Sequence, residues 1–188
     1  MHILRVLLFA ALTFGLSSCS SSRDPILYHL KPPQLVSSVP QSELTLLLRE
    51  VSVPAYARNT NITSSTKTHR IVEDDEHKWA VPPSEAITNA LAASLEVATG
   101  GVVTQHIESA RMSTDAKISV HLSRLLRSQD GGVEMVGQFI VSDDGKPSIK
   151  RFSLKFPGKS RDYDGYMEAV ADAVDELARL IAAEVIEP

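Results

Sequence analysis

The chain has 188 residues, with 19 Lys and Arg against 23 Asp and Glu, a formal charge of −4 and one cysteine. This is about one domain's worth of sequence, and 43% hydrophobic residues can build a core, which excludes disorder throughout. The acidic excess excludes a basic nucleic-acid face, and one thiol excludes both an intramolecular disulfide and a four-thiolate zinc site.

Residues 1–18, MHILRVLLFAALTFGLSS, carry Arg5, an apolar run from Val6 to Leu12 that resumes at Phe14, and then small residues. The run is shorter than an ordinary spanning helix and reads as a secretory signal that is removed. It ends in Leu16-Ser17-Ser18-Cys19, which resembles the bacterial lipobox, so Cys19 is the expected site of lipid attachment and the new N-terminus. The alternative is a plain cleaved signal beside a free thiol, a liability in an oxidising compartment. At about 0.8 kcal/mol per buried methylene, two or three acyl chains of the palmitate kind hold a protein to a bilayer without spanning it. Ser20 after the cysteine, rather than Asp, suggests by the same resemblance export to the outer membrane, facing the periplasm. Cleavage removes one base, Arg5, and leaves 18 basic against 23 acidic groups, so membrane affinity has to come from the lipid rather than from a basic patch.

Residues 19–42 form the lipidated cysteine, a polar tether and a Pro/Ser-rich stretch, KPPQLVSSVPQS, with a short edge strand at Ile26 to Leu30 between tether and stretch. The folded domain is then expected over residues 43–188. Glu43 to Val53 alternates, with a register change between Leu48 and Val51, and reads as the first long strand. Ala55 to Ser65 is polar and reads as a loop, Thr66 to Val72 as a returning strand, and Asp74-Asp75-Glu76 as a turn. Pro82-Pro83 opens a helix with Glu85 near its positive end and Ile87, Leu91, Leu95 and Ala98 as its buried stripe, stopped by Gly100-Gly101.

From Val102 the apolar period is two: Val102 to Thr104, Ile118-Val120-Leu122, Val133 to Val141, and a last strand ending at Phe152, Leu154 and Phe156. Turns are marked at Asp130-Gly131-Gly132 and from Asp143 to Lys146. Tyr163, Tyr166, Met167, Val170, Val174, Leu177, Ile181 and Val185 then keep helical spacing. Their stripe reads as core rather than as a coiled-coil seam, since a lone helix would leave too large an apolar patch exposed. The expected fold is an α+β two-layer domain: a mostly antiparallel sheet, one helix after the first strands, and a long C-terminal amphipathic helix.

Enzyme signatures are absent: there is no G-x-S-x-G elbow, P-loop, G-x-G-x-x-G or H-E-x-x-H. No catalytic residue, metal site or cofactor is assigned beyond the lipid on Cys19. His29, His69, His77, His106 and His121 lack ligand spacing, and only His77, beside three acids, is a faint metal candidate. Trp79 reads either as a core anchor where the first helix starts or as an exposed anchor for a partner, and Tyr56 is ambiguous in the same way.

Several pieces occur in one order: the lipobox, Tyr28-His29-Leu30, Glu50-Val51-Ser52-Val53-Pro54-Ala55-Tyr56, Trp79-Ala80-Val81-Pro82 before a helix, Gly137-Gln138-Phe139, and Asp164-Gly165-Tyr166-Met167-Glu168 opening the last helix. Over nearly the whole mature chain this set resembles the ABC-type transport auxiliary lipoprotein family, the PqiC/YmbA-like proteins of Gram-negative envelopes, although Phe139 stands where that pattern has Trp. The resemblance implies a non-enzymatic part of a lipid transport system at the outer membrane. Its partners would be a periplasm-crossing MCE-domain protein with an inner-membrane permease and ATPase, and the chain itself would form a ring-like homo-oligomer. The partner surface would be loops between residues 55 and 79, with Tyr56, His77 and Trp79 as contact residues. The competing expectations are a metal-binding or hydrolytic envelope lipoprotein using the Asp74 to His77 stretch, and an assembly factor for an outer-membrane barrel.

Overall fold

In the computed structural model, residues 24–33, 42–66, 68, 70–105, 114–143 and 146–186 are described. Cys19, His69 and His106 lie outside the described residues. In chain order the elements are β1 (Ile26–Tyr28), β2 (Thr45–Leu48), β3 (Asn61–Ser65), β4 (Ile71–Trp79), α1 (Pro83–Thr99), β5 (Val102–Thr104), β6 (Ala116–Arg127), β7 (Val133–Asp143), β8 (Lys146–Phe156) and α2 (Tyr163–Ile186), with a 3-10 turn at Ala55–Ala57. The fold is α+β, as the spacing predicts: an eight-stranded mixed sheet with two helices packed on it and on each other.

The first helix begins and ends where sequence chemistry says it should. Pro83 occupies the first turn of α1, where a missing N–H costs nothing, and Gly100 closes the helix in the left-handed conformation (φ 66°), its N–H donating to the carbonyl of Glu96. On α2 the stripe Tyr166, Val170, Val174, Leu177 and Ile181 is buried, so it is core and not a free seam. The helices are tied by Ser94 Oγ, which donates to the Asp175 carboxylate at 2.6 Å.

The sheet is built around β6, whose one edge is shared by two separate groups of strands. Along its first half β2 runs parallel, with Leu46 opposite Ala116 and Leu48 opposite Ile118, and β5 adds outside β2. Near its end β3 takes the same edge at Ser64 and Arg127, followed outward by β4 and β1. The other edge carries β7 and then β8, both antiparallel. The register of β6 against β7 slips between Leu122 and Arg124. That bulge lets Leu125 point inward after Ile118, Val120 and Leu122, although the spacing has changed from even to odd. Opposite the bulge sits Gly137, where a Cβ would stand 2.2 Å from the carbonyl oxygen of His121.

Three local expectations are corrected. The first strand is regular only over Thr45–Leu48; Arg49 to Val53 still follows β6, through Ser52 N–H to Val120 O at 3.0 Å and Leu122 N–H to Ser52 O at 2.8 Å, but as an isolated bridge. The expected loop from Ala55 to Ser65 contains a 3-10 turn and a strand, β3, whose ladder partners override its polar composition. Asp74-Asp75-Glu76 lies inside β4, where the ladder jumps from Ile62 opposite Asp74 to Asn61 opposite Lys78. The turn chemistry is therefore expressed as a bulge: the Asp74 carboxylate accepts from the N–H groups of Glu76 and His77, both at 2.9 Å.

Candidate interaction site

Four elements meet at one end of the sheet. β1 brings Tyr28, β4 brings Asp74 and His77, β6 ends in Arg127, and α2 starts with Tyr163. The Tyr163 phenol donates to Asp74, and the His77 ring lies flat on the Tyr163 ring, with centroids 3.9 Å apart and planes at 8°. The Arg127 guanidinium stands over Tyr163 at 4.6 Å from its centroid, a cation–π contact, and its Nη2 donates to the carbonyl of Arg161. Tyr28 closes the group, tilted against His77 at 6.0 Å and Tyr163 at 5.6 Å.

Charge in this cluster is balanced internally. Burial pushes the Asp74 carboxyl up, but hydrogen bonds from Tyr163, from the backbone at His77 and Glu76 and from the His77 ring outweigh it and hold the group below the usual aspartate range. Burial, then the bond to Asp74, pushes the Tyr163 phenol up to about 12. Tyr28 is raised by burial first and then by Asp164, Asp162 and Asp74. Asp130 and Asp162 are held low chiefly by the hydroxyls of Ser128 and Ser160 and by backbone N–H groups, with Arg127 adding to both. The Arg127 guanidinium is thus placed among a ring, a backbone carbonyl and the field of two carboxylates, Asp130 and Asp162, while its Nε is buried without a hydrogen-bond partner among the described residues.

Each residue singled out in the sequence has a definite place. Trp79 is 2% exposed and meets Tyr166 edge-on, with centroids 6.0 Å apart and planes at 79°. It is the core anchor beneath the start of α1, and the reading of it as an exposed partner anchor is corrected: a ring enclosed by its own chain has no face to offer. Tyr56 is half-buried, and its hydroxyl accepts from the N–H of Leu125 at 3.2 Å. Thr63 Oγ1 donates to the carbonyl of the same residue at 3.4 Å. Both contacts fall in the gap between the two strand groups on the β6 edge, so Tyr56 and Thr63 satisfy the backbone where no strand does. His77 is half-buried, stacked and bonded to Asp74 at 3.2 Å. The faint metal candidate is thus committed to its neighbours, and among the described residues no three of His, Cys, Asp and Glu are grouped to hold an ion.

Tyr28, Arg127 and the role of Tyr163 escape sequence reasoning. They lie far apart along the chain, and only the sheet order brings them together. The pairing of Asp74 with His77 was the one local signal that pointed here. Beside the cluster a groove of about 710 Å³ runs between β1 and α2, bordered by Ile26, Leu27, Met167 and Ala171 and by charged Lys31, Asp164 and Glu168. The described residues include no helix long and apolar enough to cross a membrane.

A family model described as "ABC-type transport auxiliary lipoprotein component" matches residues 28–182, from Tyr28 through most of α2. The chain is similar to the intermembrane transport lipoprotein PqiC of Escherichia coli (strain K12), 24% identical over 175 residues that cover 90% of this chain and 91% of that protein. The protein of the same name from Shigella flexneri matches to the same extent. Among solved structures, an uncharacterized protein superposes with a TM-score of 0.72 at 21% identity over 87% of this chain and 99% of that one. Protein XCC0632 from Xanthomonas campestris superposes at 0.64 with 15% identity, over 86% of this chain and 95% of that one. At these identities the structural likeness speaks for the fold alone.

Proposed function

The chain belongs to the ABC-type transport auxiliary lipoprotein family, and on that premise we propose that it is an outer-membrane lipoprotein, anchored through Cys19 and facing the periplasm. In this reading it is a non-catalytic subunit that docks a periplasm-spanning MCE-domain protein, while an inner-membrane permease and ATPase supply the drive. Several copies, arranged as a ring, surround that partner, and anchoring them in one plane raises their effective concentration without any new contact.

The observation that carries this reading is the placement of Leu16-Ser17-Ser18-Cys19 directly ahead of a family match that begins at residue 28. The polar side chains of the interaction site support a binding role, because Asp74, His77, Tyr163 and Arg127 are spent on one another. The partner surface in this reading lies within residues 55–79, where Asp75 and Glu76 beside the half-buried His77 are exposed.

The test is isolation from native membranes. The acylated chain should bring down an MCE-domain protein, and Cys19→Ala should release the chain from the membrane and abolish that association. An unacylated native N-terminus by mass spectrometry overturns the anchor, and recovery of a β-barrel in place of an MCE protein overturns the transport role in favour of an assembly factor.

A further inference from the structure

The start of β1 is built in a way its neighbours do not explain. Ile26 and Leu27 are 54% and 59% exposed. Adjacent strand residues point to opposite faces, so two uncovered apolar neighbours mean that this part of the strand stands proud of the body on both sides. Among the described residues β1 is paired along one edge, with β4, and the groove toward α2 continues the apolar surface through Met167 and Ala171.

Position along the chain identifies the occupant. Six residues, Ser20 to Pro25, separate Cys19 from Ile26. Even fully extended at about 3.5 Å each they span only about 20 Å, so a lipid on Cys19 keeps Ile26 and Leu27 within that distance of the bilayer at high effective concentration. The charges beside the groove are mixed, Lys31 against Asp164 and Glu168, with Asp24 next to the strand. That pattern suits headgroups carrying both a phosphate and an ammonium and disfavours a strongly anionic surface.

We propose that Ile26 and Leu27 seat in the headgroup region of a zwitterionic bilayer and set the tilt of the body on its membrane. This rests on the anchor reading above, goes beyond it, and can fail while that reading stands. The acyl chains supply the affinity; the two side chains supply the orientation, which keeps the opposite end of the sheet, at β5 and the start of β6, turned toward the periplasm.

The test uses the full acylated chain in phosphatidylethanolamine and phosphatidylcholine vesicles. Lipid occupies the thiol of Cys19, so a Leu27→Cys variant offers one thiol for an environment-sensitive fluorophore, and Ile149→Cys, at an equally exposed position (58%) on β8, is the control. Brominated acyl chains should quench most of the emission at position 27 and leave position 149 unchanged. A His29→Cys reporter should show the same quenching with both apolar residues intact, and lose it when Ile26→Ser and Leu27→Ser are added. Equal emission at positions 27 and 149 overturns the proposal. Protection from aqueous iodide without quenching by bromine also overturns it, since a second copy or another protein then covers the strand. Mass analysis of the N-terminus in the same sample separates these failures from a missing anchor, which overturns both readings together.

Discussion

The helix-covered half of the sheet and the half around β1, β3 and β4 are held by different kinds of force. Beneath α1 and α2 the contacts are apolar, periodic and fully enclosed, so their stability scales with buried area and depends little on pH. Around Tyr163 the contacts are a stack, a cation over a ring and a phenol on a carboxylate, all half-exposed. Such contacts are directional, so removing one partner costs more than the pair contributes. The same chain therefore carries one region that responds to volume and another that responds to chemistry.

The largest effect is expected where the two regions join. Trp79→Ala empties a site against Tyr166 and should cost about 3–5 kcal/mol, read as a lower urea midpoint with the slope unchanged. A loss below about 1 kcal/mol would mean that the helix-covered half is not packed around this ring. Next comes Tyr56→Phe, which keeps the ring and strips the Leu125 N–H of its acceptor, at an expected cost of about 1–3 kcal/mol.

Asp74→Asn sharpens the contrast, because its signature is a pH dependence rather than a magnitude. The Asp74 carboxyl is depressed in the folded state, so its contribution is present above the ordinary aspartate pKa of 3.8 and is lost as pH falls through the folded value. Tyr163 has the opposite sign: raised from 10.0 to about 12, it favours the fold below pH 10 and withdraws that support as pH rises toward 12. Thermal melts of the Asn variant should show a flatter acid limb, and those of Tyr163→Phe a flatter alkaline limb. Trp79→Ala should shift the whole profile without changing its shape. The smallest effect is expected for Lys155→Ala, an exposed lysine whose 3.1 Å ion pair with the half-buried Glu134 is worth at most about 1 kcal/mol.

The helix-covered half was legible in the sequence because its forces leave a period. Ile118-Val120-Leu122 alternates because one side of β6 is buried, and the α2 stripe repeats because one side of that helix is. The other half leaves no such trace. In β3, Asn61-Ile62-Thr63-Ser64-Ser65, Ile62 is the only apolar side chain, and Thr63 earns its buried place through a hydrogen bond to Leu125. Composition therefore suggested a loop. At Asp74 the turn chemistry is visible in the sequence but its setting is not, because only pairing with β3 shows that the turn is a bulge within a strand. The cluster depends wholly on topology: Tyr28 and Tyr163 are neighbours only because β1 lies against β4 and the last helix begins beside them.

The attachment of β1 also has a mechanical meaning. Any pull on the chain ahead of Asp24 reaches the body first through a three-residue ladder from Ile26 opposite His77 to Tyr28 opposite Trp79, while the long ladders of β6, β7 and β8 lie deeper along the load path. Such a pull would open that short ladder before the longer ones, giving slack while the rest of the molecule stayed folded. A short seam at the entry of the chain would thus act as a shock absorber for the long ladders behind it.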